Sequence, residues 1–233
     1  EALQQLSRQL DLGASFQASI STRTFVFAAT DYTAFALLPP LVAHLQRLAP
    51  HLQLQMIYAD KLDPVADLEE GRAHFVLGVS HAQPPSRAAI EVVDCLSDDY
   101  VVACRQDHPR IVDRLDLGTY LSERHVVVRP WSDTGSVIDA ALRDIGRQRD
   151  IAIQLPSLMA APFIVAGTDH LLTLPRRAAR QLGTATSLAI HPPPFPTRPY
   201  TLQVLQHRRH AHSPGHAWMH RQILQALQAL ATA

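Results

Sequence analysis

Three groups of side chains in this sequence have the types and spacing to do chemistry. The first is the turn Thr30-Asp31-Tyr32-Thr33, set between the apolar run Phe25 to Ala29 and an amphipathic stretch. Open α/β sheets bind ligands beyond the carboxyl ends of their strands, and amides at a helix start favour anionic groups. Thr and Asp are also common N-cap residues, so helix capping is the plainer reading of the same turn. The second is Arg129, which closes the apolar run Val126-Val127-Val128. A guanidinium there can anchor a carboxylate through a bidentate pair, or else form an ordinary salt bridge. Trp131, Ser132 and Thr134 follow it, with a ring for stacking and hydroxyls for hydrogen bonds. The third is a histidine-rich segment, in which His216 and His220 stand one helical turn apart, a workable metal-ligand spacing. No carboxylate or cysteine joins them nearby. Solvated histidines at a helix start are therefore expected, with no metal and no cofactor.

Other signals point away from catalysis. Asp133-Thr134-Gly135-Ser136 spells the motif of aspartic proteases, which need two such carboxylates within all-β lobes. Here it occurs once and opens a helix, so Asp133 or Ser132 is expected as a cap. There is no G-x-S-x-G elbow and no glycine-rich phosphate loop. No enzymatic activity is expected.

The elements that must position these groups alternate. Strands are expected at Phe25–Ala29, Leu52–Tyr58, Phe75–Val79, Ile90–Leu96, Tyr100–Cys104, Val126–Val128, Ile151–Leu155, Leu171–Leu174, Ser187–Ile190 and Tyr200–Gln206. Leu38, Leu41, Leu45 and Leu48 predict one face of the helix after the first strand. Pro64–Glu70 reads as a short helix stopped by Gly71. Further helices are expected at Ser136–Ile145 (Val137, Ile138, Ala141, Leu142 and Ile145 inward), at Ser157–Ala166 and at Arg176–Leu182. A C-terminal helix carries Met219, Ile223, Leu227 and Leu230 along one side. Leu3, Leu6 and Leu10 give residues 1–12 a helical face, and Gly13 to Ser21 reads as linker. The proline-rich loop His191–Pro199 suits a crossover. Strands separated by helices predict parallel sheets in an α/β fold.

Composition narrows the function. With 233 residues and 47% hydrophobic content, the chain can bury a substantial core. Twenty-one basic residues balance 21 acidic ones, so nucleic-acid binding through this chain's own surface is not expected. Cys95 and Cys104 are the only cysteines, expected as buried structural thiols in a reducing, cytoplasmic setting. No apolar run approaches the roughly 18 residues of a membrane span, and no signal peptide is visible. The chain starts at Glu1 rather than Met and reads as part of a longer protein.

Five local motifs occur in a shared order over some two hundred residues. They are Thr30-Asp31 with Leu38-Pro39-Pro40; Asp67-Leu68-x-x-Gly71 followed by Val76-Leu77-Gly78; Arg105-x-Asp107-His108-Pro109; Gly167-Thr168-Asp169 leading to Leu174-Pro175; and Pro214-Gly215-x-x-Trp218. In this order they resemble the effector-binding domain of LysR-type transcriptional regulators over roughly residues 22–231. The branch they resemble most is that of the naphthalene/salicylate and nodulation regulators, although His74 replaces the Asp common before the third strand. The resemblance implies two Rossmann-like lobes joined by two crossover strands, like a type II periplasmic binding protein. It places residues 22–98 and 200–233 in lobe I, residues 99–199 in lobe II, and a linker-helix remnant in residues 1–21. It also implies a winged helix-turn-helix outside this chain, promoter DNA bound only through that domain, a homodimer or homotetramer, and no membrane partner. A small organic effector, aromatic or carboxylated, is expected in the interlobe cleft. Thr30, Asp31, Tyr32, Thr33 and Gly78 would line one side, and Arg129, Trp131, Thr134, Ser157 and Phe195 the other. Ser157 stands where histidine can occur in the salicylate-type branch, which argues against salicylate itself. Phe163 is expected in the core. A transporter's solute-binding protein and an enzyme on the same fold are the competing classes.

Overall fold

The structure is a computed structural model that describes residues 16–59, 64–80, 88–129, 136–210 and 212–231. Its strands are β1 Thr24–Ala29, β2 Gln53–Tyr58, β3 Phe75–Ser80, β4 Ile90–Asp98, β5 Tyr100–Arg105, β6 Arg124–Val128, β7 Asp150–Leu155, β8 Leu171–Pro175, β9 Leu188–His191 and β10 Tyr200–His207. Its helices are α1 Asp31–Leu48, α2 Pro64–Glu69, α3 Leu117–Ser122, α4 Val137–Asp144, α5 Ala161–Ala166, α6 Arg176–Thr186 and α7 Pro214–Ala231. The chain divides into two compact units, Glu1–Leu96 with Thr201–Ala233, and Ser97–Tyr200.

The first unit holds a sheet in the order β2-β1-β3-β10-β4. β1 runs parallel to both β2 and β3, whereas β10 runs antiparallel to β3. Central position explains why Phe25, Phe27, Ala28, Phe75, Val76 and Leu77 are all buried, while edge strand β2 is only partly covered. His74 extends the ladder just before β3. Its amide donates to the Val26 carbonyl at 2.8 Å, and its Nδ1 accepts from the Val26 amide at 2.8 Å. The imidazole thus continues the β1–β3 hydrogen-bond pattern one residue before β3.

α1 buries Ala36, Leu37, Leu41 and Leu45 and packs on α7. The expected face was displaced by one residue at its start: Leu37 is buried, Leu38 is half-buried and Leu48 is exposed. Positions 37, 41 and 45 keep four-residue spacing, and the stripe drifts past Leu48. α7 buries Met219, Ile223 and Leu227 as the spacing predicts. Gly215 at its start is tightly surrounded: a Cβ there would lie 2.9 Å from Arg23 Nη1 and 3.0 Å from Phe16 Cδ2, so both side chains would have to shift. Phe16 in turn packs on Trp218 in a tilted ring pair with centroids 5.2 Å apart, which gives the Pro214-Gly215-x-x-Trp218 motif a packing role. Residues 16–21, expected as linker, include a 3₁₀ turn at Ala18–Ile20. The helical face expected in residues 1–12 lies outside the described residues.

The second unit repeats the plan with a sheet ordered β7-β6-β8-β5-β9. β6 is parallel to β7 and β8, and β5 is antiparallel to β8 and β9. Both sheets are therefore mixed rather than parallel throughout. β5, just after the chain passes into the second unit, and β10, on which it returns to the first, are the strands that run against the parallel strands of their sheets. The core of this unit gathers Val102, Cys104, Tyr120, Ile138, Leu142, Leu171 and Phe195.

Two of the sequence motifs meet here. Arg105 Nε donates to Asp169 Oδ1 at 2.8 Å, and His108 Nε2 lies 3.0 Å from the Asp169 carbonyl. Arg110 adds a bidentate pair with the nearly buried Glu123. α3 was not expected; Asp116 caps it by accepting from the Thr119 amide at 2.8 Å, but the helix is too short to show a period. α4 stops one residue early, where Gly146 at φ 68° turns the chain, and this leaves Ile145 exposed rather than inward. α5 begins only at Ala161. Pro162 has no amide to donate to a preceding turn and suits a helix start. That start buries Ala161, Pro162 and Val165 and turns Phe163 outward, 58% exposed, against its expected core role.

Candidate functional site

In the first unit the carboxyl ends of β1, β2 and β3 share one edge, since Ala29 pairs with Tyr58 and with Leu77. β2 and β3 lie on opposite sides of β1, so the reversal of strand order falls between β1 and β3, where such sheets hold ligands. The Thr30–Thr33 turn stands on that edge and closes on itself. Thr30 is the N-cap of α1. Its hydroxyl accepts from the Thr33 amide at 3.2 Å while the Thr33 hydroxyl accepts from the Thr30 amide at 3.0 Å, a reciprocal capping box. Asp31 Oδ1 accepts from the Tyr32 amide at 2.8 Å, and the Ala34 amide donates to the Thr30 carbonyl at 2.9 Å. Thr33 is 1% exposed, so its side chain serves the cap. Thr30, Asp31 and Tyr32 remain half-buried at the edge.

Tyr58, at the end of β2, was not singled out from sequence. Its hydroxyl is pushed above the usual tyrosine range by burial and then by the Asp31 carboxylate, which marks a phenol beside the turn. Gly78 sits one residue past the level of Ala29, opposite Gln203 of β10. A Cβ there would lie 3.3 Å from Leu205 Cδ1, so tight packing already accounts for a glycine.

In the second unit the equivalent edge belongs to β6, β7 and β8, and Arg129 leaves the end of β6. Its amide donates to the Leu155 carbonyl at 2.8 Å, which extends the β6–β7 pairing. Its guanidinium reaches Asp139 Oδ2 on α4 at 2.6 Å and Gln154 Oε1 on β7 at 3.1 Å. The other Asp139 oxygen accepts from Arg149 Nε at 2.8 Å. Burial by itself would raise the Asp139 carboxyl, but Arg149 and Arg129 together hold it below the ordinary carboxylate range. Arg129 Nε is buried and has no hydrogen-bond partner among the described residues. Two guanidiniums therefore share one carboxylate, with a donor to spare.

Ser157 stands just beyond β7, half-buried, and its hydroxyl accepts from the Met159 amide at 3.2 Å. The cap of α4 is Ser136, which accepts from the Ile138 amide at 3.2 Å, so neither Ser132 nor Asp133 is needed in that role. Trp131 and Thr134 lie outside the described residues. Phe195, expected as an apolar wall, instead packs in the core at 5.0 Å from the Tyr120 ring. Asp139, Arg149 and Gln154 had no sequence signal beyond their type, because their meaning depends on contacts across three elements.

The histidine segment is not solvated as expected. His216 is fully buried, lies in parallel stack on His210 at 4.4 Å and meets His74 edge-on at 5.2 Å. Burial, aided by His210 and His74, pushes its pKa down to about 3. No group of three or more metal-binding side chains occurs among the described residues. Cys104 is buried and Cys95 half-buried; burial pushes both thiols up to about 11, which makes them poor nucleophiles. Among the described residues, no helix is long and apolar enough to cross a membrane.

Comparison with known proteins agrees with this architecture. Residues 20–228 match the LysR substrate binding domain family. The chain is 30% identical over 203 residues to the HTH-type transcriptional regulator SyrM of Rhizobium meliloti (strain 1021), covering 85% of this chain and 60% of that protein. It is 27% identical over 218 residues to the HTH-type transcriptional activator NagR of a Ralstonia species, covering 94% of this chain and 71% of NagR. The crystal structure of a probable transcriptional regulator from Pseudomonas aeruginosa matches with a TM-score of 0.86 at 45% identity, covering 95% of this chain and 72% of that one. These relatives are transcriptional regulators, not enzymes. The chain spans only about 60% of the length of SyrM.

Proposed function

This chain belongs to the LysR substrate binding domain family, and from that premise we propose that it senses a small organic carboxylate, built on an aromatic body, for a transcriptional regulator. The observation that carries the carboxylate is Arg129: a largely covered guanidinium at the carboxyl edge of β6, with a buried Nε–H unpaired among the described residues. An anionic group there gains charge-assisted hydrogen bonds and completes the donor set. Ser157 adds a hydroxyl on the same edge, with Trp131 and Thr134 proposed beside it. On the first unit, Thr30, Asp31, Tyr32 and Gly78 form the second half-site, and the effector is proposed to engage both halves in an interlobe cleft. Asp31 disfavours a second carboxylate at that turn, so the far end of the effector is proposed to carry a ring with a hydrogen-bond donor. Effector binding then biases the arrangement of a cytoplasmic homodimer or homotetramer, provided the effector prefers one arrangement over another. Promoter DNA is bound by a winged helix-turn-helix domain outside this chain.

A thermal-shift screen of hydroxybenzoates, benzoate, phenols and amino acids tests the reading. A matching aromatic acid at a hundredfold excess over its Kd raises the melting temperature by about 5 °C or more. Arg129→Ala removes that shift while leaving the fold intact. Equal shifts from neutral phenols, unaffected by Arg129→Ala, would overturn the carboxylate reading.

A further inference from the structure

We propose that Arg149 is a positioning residue for effector recognition: by sharing the Asp139 carboxylate, it leaves the charge of Arg129 available to an anion. The inference rests on the reading of Arg129 as the carboxylate anchor. Asp139 Oδ1 accepts from Arg149 Nε at 2.8 Å and Oδ2 from Arg129 Nη2 at 2.6 Å, one oxygen to each guanidinium. The Arg149 side chain is 3% exposed, so it meets no effector itself. Its Nη2 also donates to Ser136 Oγ at 3.4 Å, which ties it to the start of α4 on the covered side of the carboxylate. Two further titratable groups near it, His125 and Tyr120, are neutral at pH 7. Burial, then Arg149, brings His125 down to about 4, and burial raises Tyr120. The nearby Glu123 is matched by Arg110. Among the described residues, two guanidiniums against one carboxylate therefore leave one positive charge in surplus, and the part of it that meets solvent is on Arg129, 21% exposed. Without Arg149, Asp139 and Arg129 become a closed neutral pair, and an incoming carboxylate meets no net charge.

The test is a calorimetric titration of the chain with benzoate and with its neutral isostere benzamide, alongside carbon-detected NMR titration of the Asp139 carboxyl. Arg149→Met weakens benzoate binding by about tenfold, leaves benzamide unchanged and raises the Asp139 pKa; Arg149→Lys restores most of both effects. Equal loss of benzoate and benzamide would reveal a merely structural role, and an unchanged Asp139 titration in Arg149→Met would overturn the charge sharing whatever the ligand. If the unaltered chain binds neither probe, the aromatic-acid reading fails first, and the Asp139 titration still decides the role of Arg149.

Discussion

The two units place different chemistry at the same point of the same plan. In each, one strand lies between the two strands that follow it in sequence, β1 between β2 and β3 and β6 between β7 and β8, and its exit turn stands where the strand order reverses. At the first of these turns, Thr30 and Thr33 exchange hydrogen bonds and Asp31 holds the Tyr32 amide, so the polar groups satisfy one another. At the second, Arg129 and Arg149 divide a single carboxylate, and a buried donor is left over among the described residues. A closed hydrogen-bond set stabilises a helix start, and a surplus of buried donor and charge recruits an acceptor from outside. Equivalent positions in a repeated fold need not do equivalent work: the first turn closes a capping box, and the second is the proposed anchor for the effector's carboxylate.

The most disruptive way to break this contrast is Asp139→Asn. It strips the buried Arg149 of its counter-ion, and removal of one partner from a buried pair costs on the order of 3 kcal/mol. Urea denaturation is expected to show that loss, whereas an unchanged midpoint would mean that the two guanidiniums are solvated.

Acid sharpens the comparison next, since each unit also holds a fully buried histidine with a lowered pKa, His216 in the first and His125 in the second. Their folded pKa values, about 3 and about 4, lie below the ordinary 6.5. The unfolded chain therefore binds more protons as pH falls below 6.5, and stability present above that pH is lost toward pH 4. Each histidine contributes a slope approaching about 1.4 kcal/mol per pH unit. His216→Gln should flatten the urea-stability profile between pH 6 and 4; a profile as steep as the unaltered chain's would place the effect elsewhere.

The smallest expected effect is at the closed turn. Thr30→Ala removes half of the capping box and costs about 1 kcal/mol, a fall of a few degrees in melting temperature. Because that turn closes a capping box, benzoate affinity should change far less than in Arg149→Met, and a larger loss of affinity than of stability would reverse the assignment of roles.

Much of this was legible in the chain because it is local. Thr30 and Thr33 are three residues apart, and a capping box needs nothing more distant. Arg129 follows three valines, so its place at a strand end could be read directly. The partners that give Arg129 its character could not be read this way. Asp139 lies ten residues on and Arg149 twenty, and only the tertiary fold brings α4, the end of β6 and the residue before β7 together. Phe163 and Phe195 were misjudged for the same reason: each is a large apolar residue in a short or irregular segment, where no period tells inside from outside.

By itself the sequence determined the alternation of strands and helices, the caps and the motif order that marks the family, because propensity and periodicity act over a few residues. Tertiary structure alone decided that β5 and β10 run antiparallel to their neighbours. It also decided that His216 is buried in a stack of rings and that two arginines share one aspartate. Those outcomes depend on which distant segments lie side by side, and burial, charge sharing and strand direction acquire their energies only when those segments meet.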